Sequence, residues 1–205
     1  MTKKQELELL SKFETIKRWM IDDIRKAMFL GTANILAAQG LLIYTEIIGS
    51  LITGEGDGHS GENFDAFFAR LGKNYETLLK KHNGKRKLNP HVLYDDLRCG
   101  LVHEYLVKRK GFVIYNASHK LSDPDIEKIK TVDLDGKKIG FIIGVVFARD
   151  SKNKDYWLII NPLYWLHFKK AIDKYWQEIC DENNKVLREK FFKRIKEVNI
   201  KNFNV

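Results

Sequence analysis

Cysteine is scarce: Cys99 and Cys180 are the only two, far apart and outside any C-x-x-C. That excludes a disulfide scaffold and a thiolate zinc site, and it fits a reducing, cytoplasmic compartment. H-x-x-x-H spacing and clustered carboxylates are missing too, so the sequence points to no metal and no cofactor. No Pro/Gly/Ser-rich linker, internal repeat or low-complexity tract divides the 205 residues, which read as a single domain, 1–205. The N-terminal MTKKQELELLSKFETIKRW has no apolar stretch of the secretory type, and it carries acids that a transit peptide avoids. The most apolar run, Ala27 to Ile52, is interrupted by Asn34, Gln39 and Glu46 at depths where a bilayer penalises polar groups. It reads as a buried core helix, with no membrane partner implied.

What is present is a folding composition, 44% hydrophobic and 31% charged, with a formal net charge of +9. Such an excess of base suits a polyanionic partner, because clustered Lys and Arg concentrate phosphates and release counterions on binding. The charge gathers in KKHNGKRK (Lys80 to Lys87), in KRK (Lys108 to Lys110) and in the tail from Lys185 to Lys201. The first two runs flank one short stretch, DDLRCGLVHEYLVKRK.

Apolar spacing predicts helices over most of the first half. Leu7, Leu10, Phe13, Ile16, Ile21 and Ile24 mark the first, and about Thr32 to Ile52 the second, which ends in the connecting loop GEGDGHSGEN. Phe64, Phe67, Phe68, Leu71, Tyr75, Leu78 and Leu79 mark a third, closed by His82-Asn83-Gly84. The fourth carries the DDLRCGLVHEYLVKRK stretch and is entered through Asn89-Pro90, with Asn89 as N-cap. GFVIYN, KIGFIIGVVFARD and DYWLIIN are rich in β-branched and aromatic residues and predict about three antiparallel strands, with a hairpin at Asp150 to Asp155. Helical spacing returns after Pro162, and a last basic helix runs from about Asn183 to Val198. The fold class is mainly α (α+β): a helical bundle, 1–110 and 162–205, with a small antiparallel sheet, 111–161, inserted before the C-terminal helices. Trp157, Trp165 and Trp176 read as core, whereas surface or turn roles suffice for His59, His82, His91, His119 and His167.

Arg98, His103 and Tyr105 concentrate polar chemistry on a helix that must also bury Leu97 and Leu101. On an ideal helix Arg98 and His103 differ by roughly 140° in direction and about 7.5 Å in height. A partner surface, such as the same helix of a second copy, would close that gap. A neutral imidazole can take the proton of a ribose 2′-hydroxyl or, once protonated, give one to a leaving oxygen, while a guanidinium neutralises the phosphorane between them. No metal is required for that chemistry. Asp95 or Asp96 can orient the arginine or histidine; Glu46, the lone acid of the most apolar helix, can sit near Arg98 as its partner, though pointing outward or pairing with another base is the favoured expectation.

Arg98-Cys-Gly-Leu-Val-His103-Glu104-Tyr105 resembles the R-x-x-x-x-H-x-Y signature of the HEPN superfamily, helical domains that carry the motif on a late bundle helix. The resemblance covers the helical part of the chain and not the sheet. It implies a metal-independent endoribonuclease acting as a homodimer through the motif helix, of a toxin or defence type. Arg98, His103 and Tyr105 would be catalytic and Asp95, Asp96, Glu104 and Glu46 supporting. RNA would be held by Lys85, Arg86, Lys87, Lys108, Arg109 and Lys110. It also implies a nucleotidyltransferase (MNT) antitoxin that modifies the tyrosine. Cys99 stands where catalytic members usually carry a polar residue, and with the added sheet it favours the alternative, a non-catalytic module that binds nucleic acid or nucleotide or docks onto a partner.

Overall fold

The structure, a computed structural model, describes residues 1–31, 33–83, 90–101, 111–115, 121–134, 136–150 and 152–197. Helix α1 (Lys3–Phe29) starts from a reciprocal cap: the Gln5 N–H donates to Thr2 Oγ1 at 3.3 Å and the Thr2 N–H to Gln5 Oε1 at 2.9 Å. It buries Leu10, Phe13, Met20, Ile24 and Met28 and leaves Leu7 outside. Helix α2 (Asn34–Thr53) is stopped by Gly54 at φ +77°, whose N–H donates to the Ser50 carbonyl. By length and composition α2 could cross a membrane, yet 56% of its most apolar window is buried against the rest of the protein.

The third expected helix is two. Helix α3 (Ser60–Phe68) tightens into a 3₁₀ turn, Ala69–Leu71, and α4 (Lys73–His82) restarts beyond Gly72. Gly72 lies at φ +140°, which side-chain-bearing residues rarely adopt, and its carbonyl accepts the first amides of α4, Tyr75 and Glu76. Spacing ran through the break because Phe64, Phe67, Phe68, Leu71 and Tyr75 all still face the core. Helix α5 (Val92–Tyr94) begins two residues later than the Asn89-Pro90 entry predicts, and Asn89 itself lies outside the described residues. It leads into a π-helical turn, Asp95–Cys99, and on into Gly100 and Leu101.

Strand β1 (Gly111–Tyr115) and a short helix α6 (Asp123–Lys128) precede the antiparallel pair β2 (Thr131–Leu134) and β3 (Lys137–Gly140). Then come β4 (Val145–Arg149), β5 (Asp155–Ile160), α7 (Asn161–Cys180) and α8 (Lys185–Glu197). The architecture is mainly α with little sheet, as expected, but that sheet is not all antiparallel. Its order is β1-β5-β4; β4 and β5 form the expected hairpin, whereas β1 runs parallel to β5, Gly111 opposite Tyr156. The long crossover from Tyr115 to Asp155 makes a parallel pairing possible. KIGFIIGVVFARD is also split between two sheets. At the break, Gly144 donates its N–H to Tyr75 Oη at 2.7 Å and accepts from the Ile160 N–H at 2.8 Å, so it cannot continue a straight ladder.

Helices and sheet share one set of buried side chains. Phe13 meets Tyr175 and Phe191, Phe68 meets Tyr75 and Tyr164, and Phe67 meets Phe168. Each such ring contributes roughly 1.5–3 kcal/mol by leaving water. Trp157 and Trp165 are core as read, and Trp176 packs at its edge against Phe13.

Candidate functional site

Arg98 sits in the π-helical turn, where the Gly100 N–H donates to the carbonyl of Asp95, five residues back. Turns of this kind inside helices recur at functional sites. Here three consecutive side chains of the widened turn go to three different surroundings. Leu97 is fully buried. Asp96 accepts from Trp157 Nε1 of β5 at 3.3 Å. Arg98 Nε stands 2.6 Å from Glu46 Oε2 of α2, both side chains 17% exposed.

The last contact decides between the two expectations for Glu46: it meets Arg98, the less favoured of the two, rather than solvent or another base. Low exposure strengthens the attraction and also makes each charge costly without the other. Glu46 faces Nε of the guanidinium; the remaining N–H donors of that fork are carried on its two Nη atoms. Asp95 is exposed on the same turn. Of the other predicted site residues, His103, Glu104, Tyr105, Lys85, Arg86, Lys87, Lys108, Arg109 and Lys110 lie outside the described residues.

Cys99 and Tyr94 complete this face. Burial pushes the half-buried Cys99 thiol up, a hydrogen bond with Tyr94 only partly offsetting it, so at neutral pH the sulfur is a thiol and not a nucleophile. The Tyr94 phenol is pushed up to about 12, chiefly by burial, with its Cys99 bond and the Glu46 charge adding and a bond to Ser60 opposing. Ser60 belongs to the first turn of α3, so that turn is joined through Tyr94 to the Arg98 region.

Two histidines hold positions that spacing did not reveal. His91 Nδ1 lies 2.7 Å from Asp65 Oδ2, and the same oxygen accepts from Asn83 Nδ2 at 2.7 Å. Burial raises the Asp65 carboxyl above its ordinary range, while His91 and Asn83 pull the other way. His167 Nδ1 lies 2.9 Å from Tyr75 Oη, and burial lowers its pKa to about 4. His82 is buried as well, against Phe147 and Trp157. Surface or turn roles therefore do not describe His82, His91 or His167. The partners of His91 and His167 come from other elements, 26 and 92 residues away, which is why no local pattern announced them.

Among the described residues no group of three or more His, Cys, Asp or Glu is placed to hold a metal ion. No protein-family model, curated protein or solved structure matches the chain.

Proposed function

We propose that the chain is a metal-independent endoribonuclease of the R-x-x-x-x-H-x-Y type, acting as a homodimer. The observation that supports this reading best is the Glu46–Arg98 contact, which fixes the motif arginine from a separate helix. In the reaction His103 is the general acid/base, Arg98 neutralises the phosphorane, Tyr105 and Glu104 support them, and Asp95 lies beside the arginine. Lys85, Arg86, Lys87, Lys108, Arg109 and Lys110 hold the RNA backbone. Attack of the 2′-hydroxyl on phosphorus leaves a 2′,3′-cyclic phosphate and a 5′-hydroxyl. A nucleotidyltransferase acting on Tyr105 is the partner proposed for its control, in the cytoplasm.

Digestion of structured and single-stranded RNA in EDTA tests the reading. Wild type should give cyclic-phosphate ends, and Arg98→Ala and His103→Ala should each lose at least about 100-fold. Equal inertness of wild type and His103→Ala would remove the claim. The half-buried thiol of Cys99, in a place that favours polar groups, supports the second reading, a non-catalytic nucleic-acid or partner-docking module. That module would bind RNA without cleaving it.

A further inference from the structure

The 3₁₀ turn after α3, the start of α4 and the middle of α7 line a cavity of about 350 Å³, large enough for a small ligand. Its charged lining is Arg70, Lys73 and Lys174 against one acid, Glu76. Glu76 is bonded to Lys80, one turn on, and Arg70 Nη1 donates to Glu178 Oε2. Both acids thus have a base of their own, and among the described residues neither Lys73 nor Lys174 has an acidic partner. An excess of two positive charges, carried on two different helices, is left facing one space. Lys73 is also the first residue of α4, which no side chain caps, so an ammonium stands where the helix dipole favours an anion. Beside it a Cβ on Gly72 would meet nothing within 4 Å, and the approach is open. Arg70 is held at two points, by Glu178 and by the ring of Tyr175, whose centroid lies 5.9 Å from the guanidinium carbon. The rest of its fork, Nε and Nη2, is unbonded among the described residues. Tyr175 is fully buried, yet its hydroxyl has no partner among the described residues. Burial pushes that phenol up, and the charges of Arg70 and Glu178 both act on it, so a polar group is left open beside the pair.

We propose that this cavity binds a phosphate dianion, free or carried on a small monoester, through Arg70, Lys73 and Lys174. Two excess charges match a dianion, whereas a carboxylate would leave one unmatched. The planar fork of Arg70 can span two oxygens of one phosphate, and the two ammoniums act as point charges on the others. None of these residues belongs to the Arg98 stretch or to the runs that flank it, so the site stands whether or not the chain cleaves RNA.

An ordinary solvated basic face makes a different forecast. Inorganic phosphate is titrated into wild type at constant ionic strength against chloride, with the amide signals of Gly72 and Lys73 followed by NMR. They should move and saturate. Lys73 and Lys174 are exposed, so the double variant Lys73→Gln, Lys174→Gln should melt like wild type in chloride, yet it should need at least about 10-fold more phosphate. A second titration uses glycerol phosphate: a tighter response to it assigns a monoester, and a tighter response to inorganic phosphate assigns the free ion. Wild-type signals that never saturate overturn the proposal, as does a double variant that binds phosphate as tightly as wild type. An uncleavable RNA that moves the same signals at lower concentration than either probe makes the cavity part of a nucleic-acid surface and overturns it too.

Discussion

The hydroxyl of Tyr75 accepts from the Gly144 N–H, so its own proton must go to His167 Nδ1 and the ring carries its hydrogen on Nε2. Burial is the main reason for the lowered pKa of about 4; Lys170 and Lys130 lower it further and Glu127 opposes them. The fold thus prefers neutral His167. As pH falls through the unfolded value of about 6.5 the unfolded chain gains a proton first. Stability from this residue is therefore complete above about pH 6.5, declines towards pH 4 and is flat below. His167→Asn keeps an acceptor near Nδ1 and cannot titrate. In urea unfolding between pH 7 and 4, wild type should lose on the order of 2 to 3 kcal/mol more than this variant, at about 1.4 kcal/mol per pH unit. Parallel curves for the two proteins would contradict the assignment. A lone histidine beside Lys169 and Lys170 gave no warning of this, because its partner lies on α4. Glu46 was half legible: an acid in so apolar a helix must have a base, but which base depends on how α2 meets the π-helical turn.

At the scale of elements, α1, α2, α7 and α8 were readable because a helix packed on one side must repeat its apolar residues every three or four positions. Breaks were not, since Gly72 and Gly144 interrupt the backbone without interrupting the apolar pattern. The π-helical turn was equally hidden, because an i+5 bond leaves no compositional mark. Strand direction was hidden too: β1 and β5 are apolar whichever way they run. One close approach can be tested directly. At Gly49 a Cβ would stand 1.6 Å from the Asn63 carbonyl oxygen, so α2 and α3 touch backbone to backbone. Alanine for glycine inside a helix is ordinarily favourable by up to about 1 kcal/mol. Here the neighbour is main chain and cannot swing aside, and Gly49→Ala should instead destabilise by at least about 2 kcal/mol in chemical denaturation. Gly31→Ala, whose Cβ meets nothing closer than 3.5 Å, is the control. A Gly49→Ala variant as stable as the control would show that the two helices separate freely.

Across the whole molecule, the +9 charge is not equally available to a polyanion. In α8 part of the basic tail is already matched: Arg188 meets Glu6 at 2.8 Å, Lys193 meets Glu55 at 3.1 Å and Arg194 meets Glu197 at 2.9 Å. Those bases serve the fold, tying α8 to α1 and to the loop after α2. RNA binding should then draw on the runs that flank the Arg98 stretch more than on α8. Affinity for an uncleavable single-stranded RNA, followed by fluorescence anisotropy across a salt series, should fall linearly on a log–log plot, each phosphate contact contributing roughly 0.7 to the slope. Changing Lys85, Arg86 and Lys87 together to Gln should lower that slope by about 2. Changing Lys193 and Arg194 to Gln should lower it by less than about 1, because Glu55 and Glu197 beside them offset their positive field. Equal effects of the two variants would place the nucleic acid along α8 and away from the motif. A slope near zero for wild type would mean that the excess of base serves no polyanion at all.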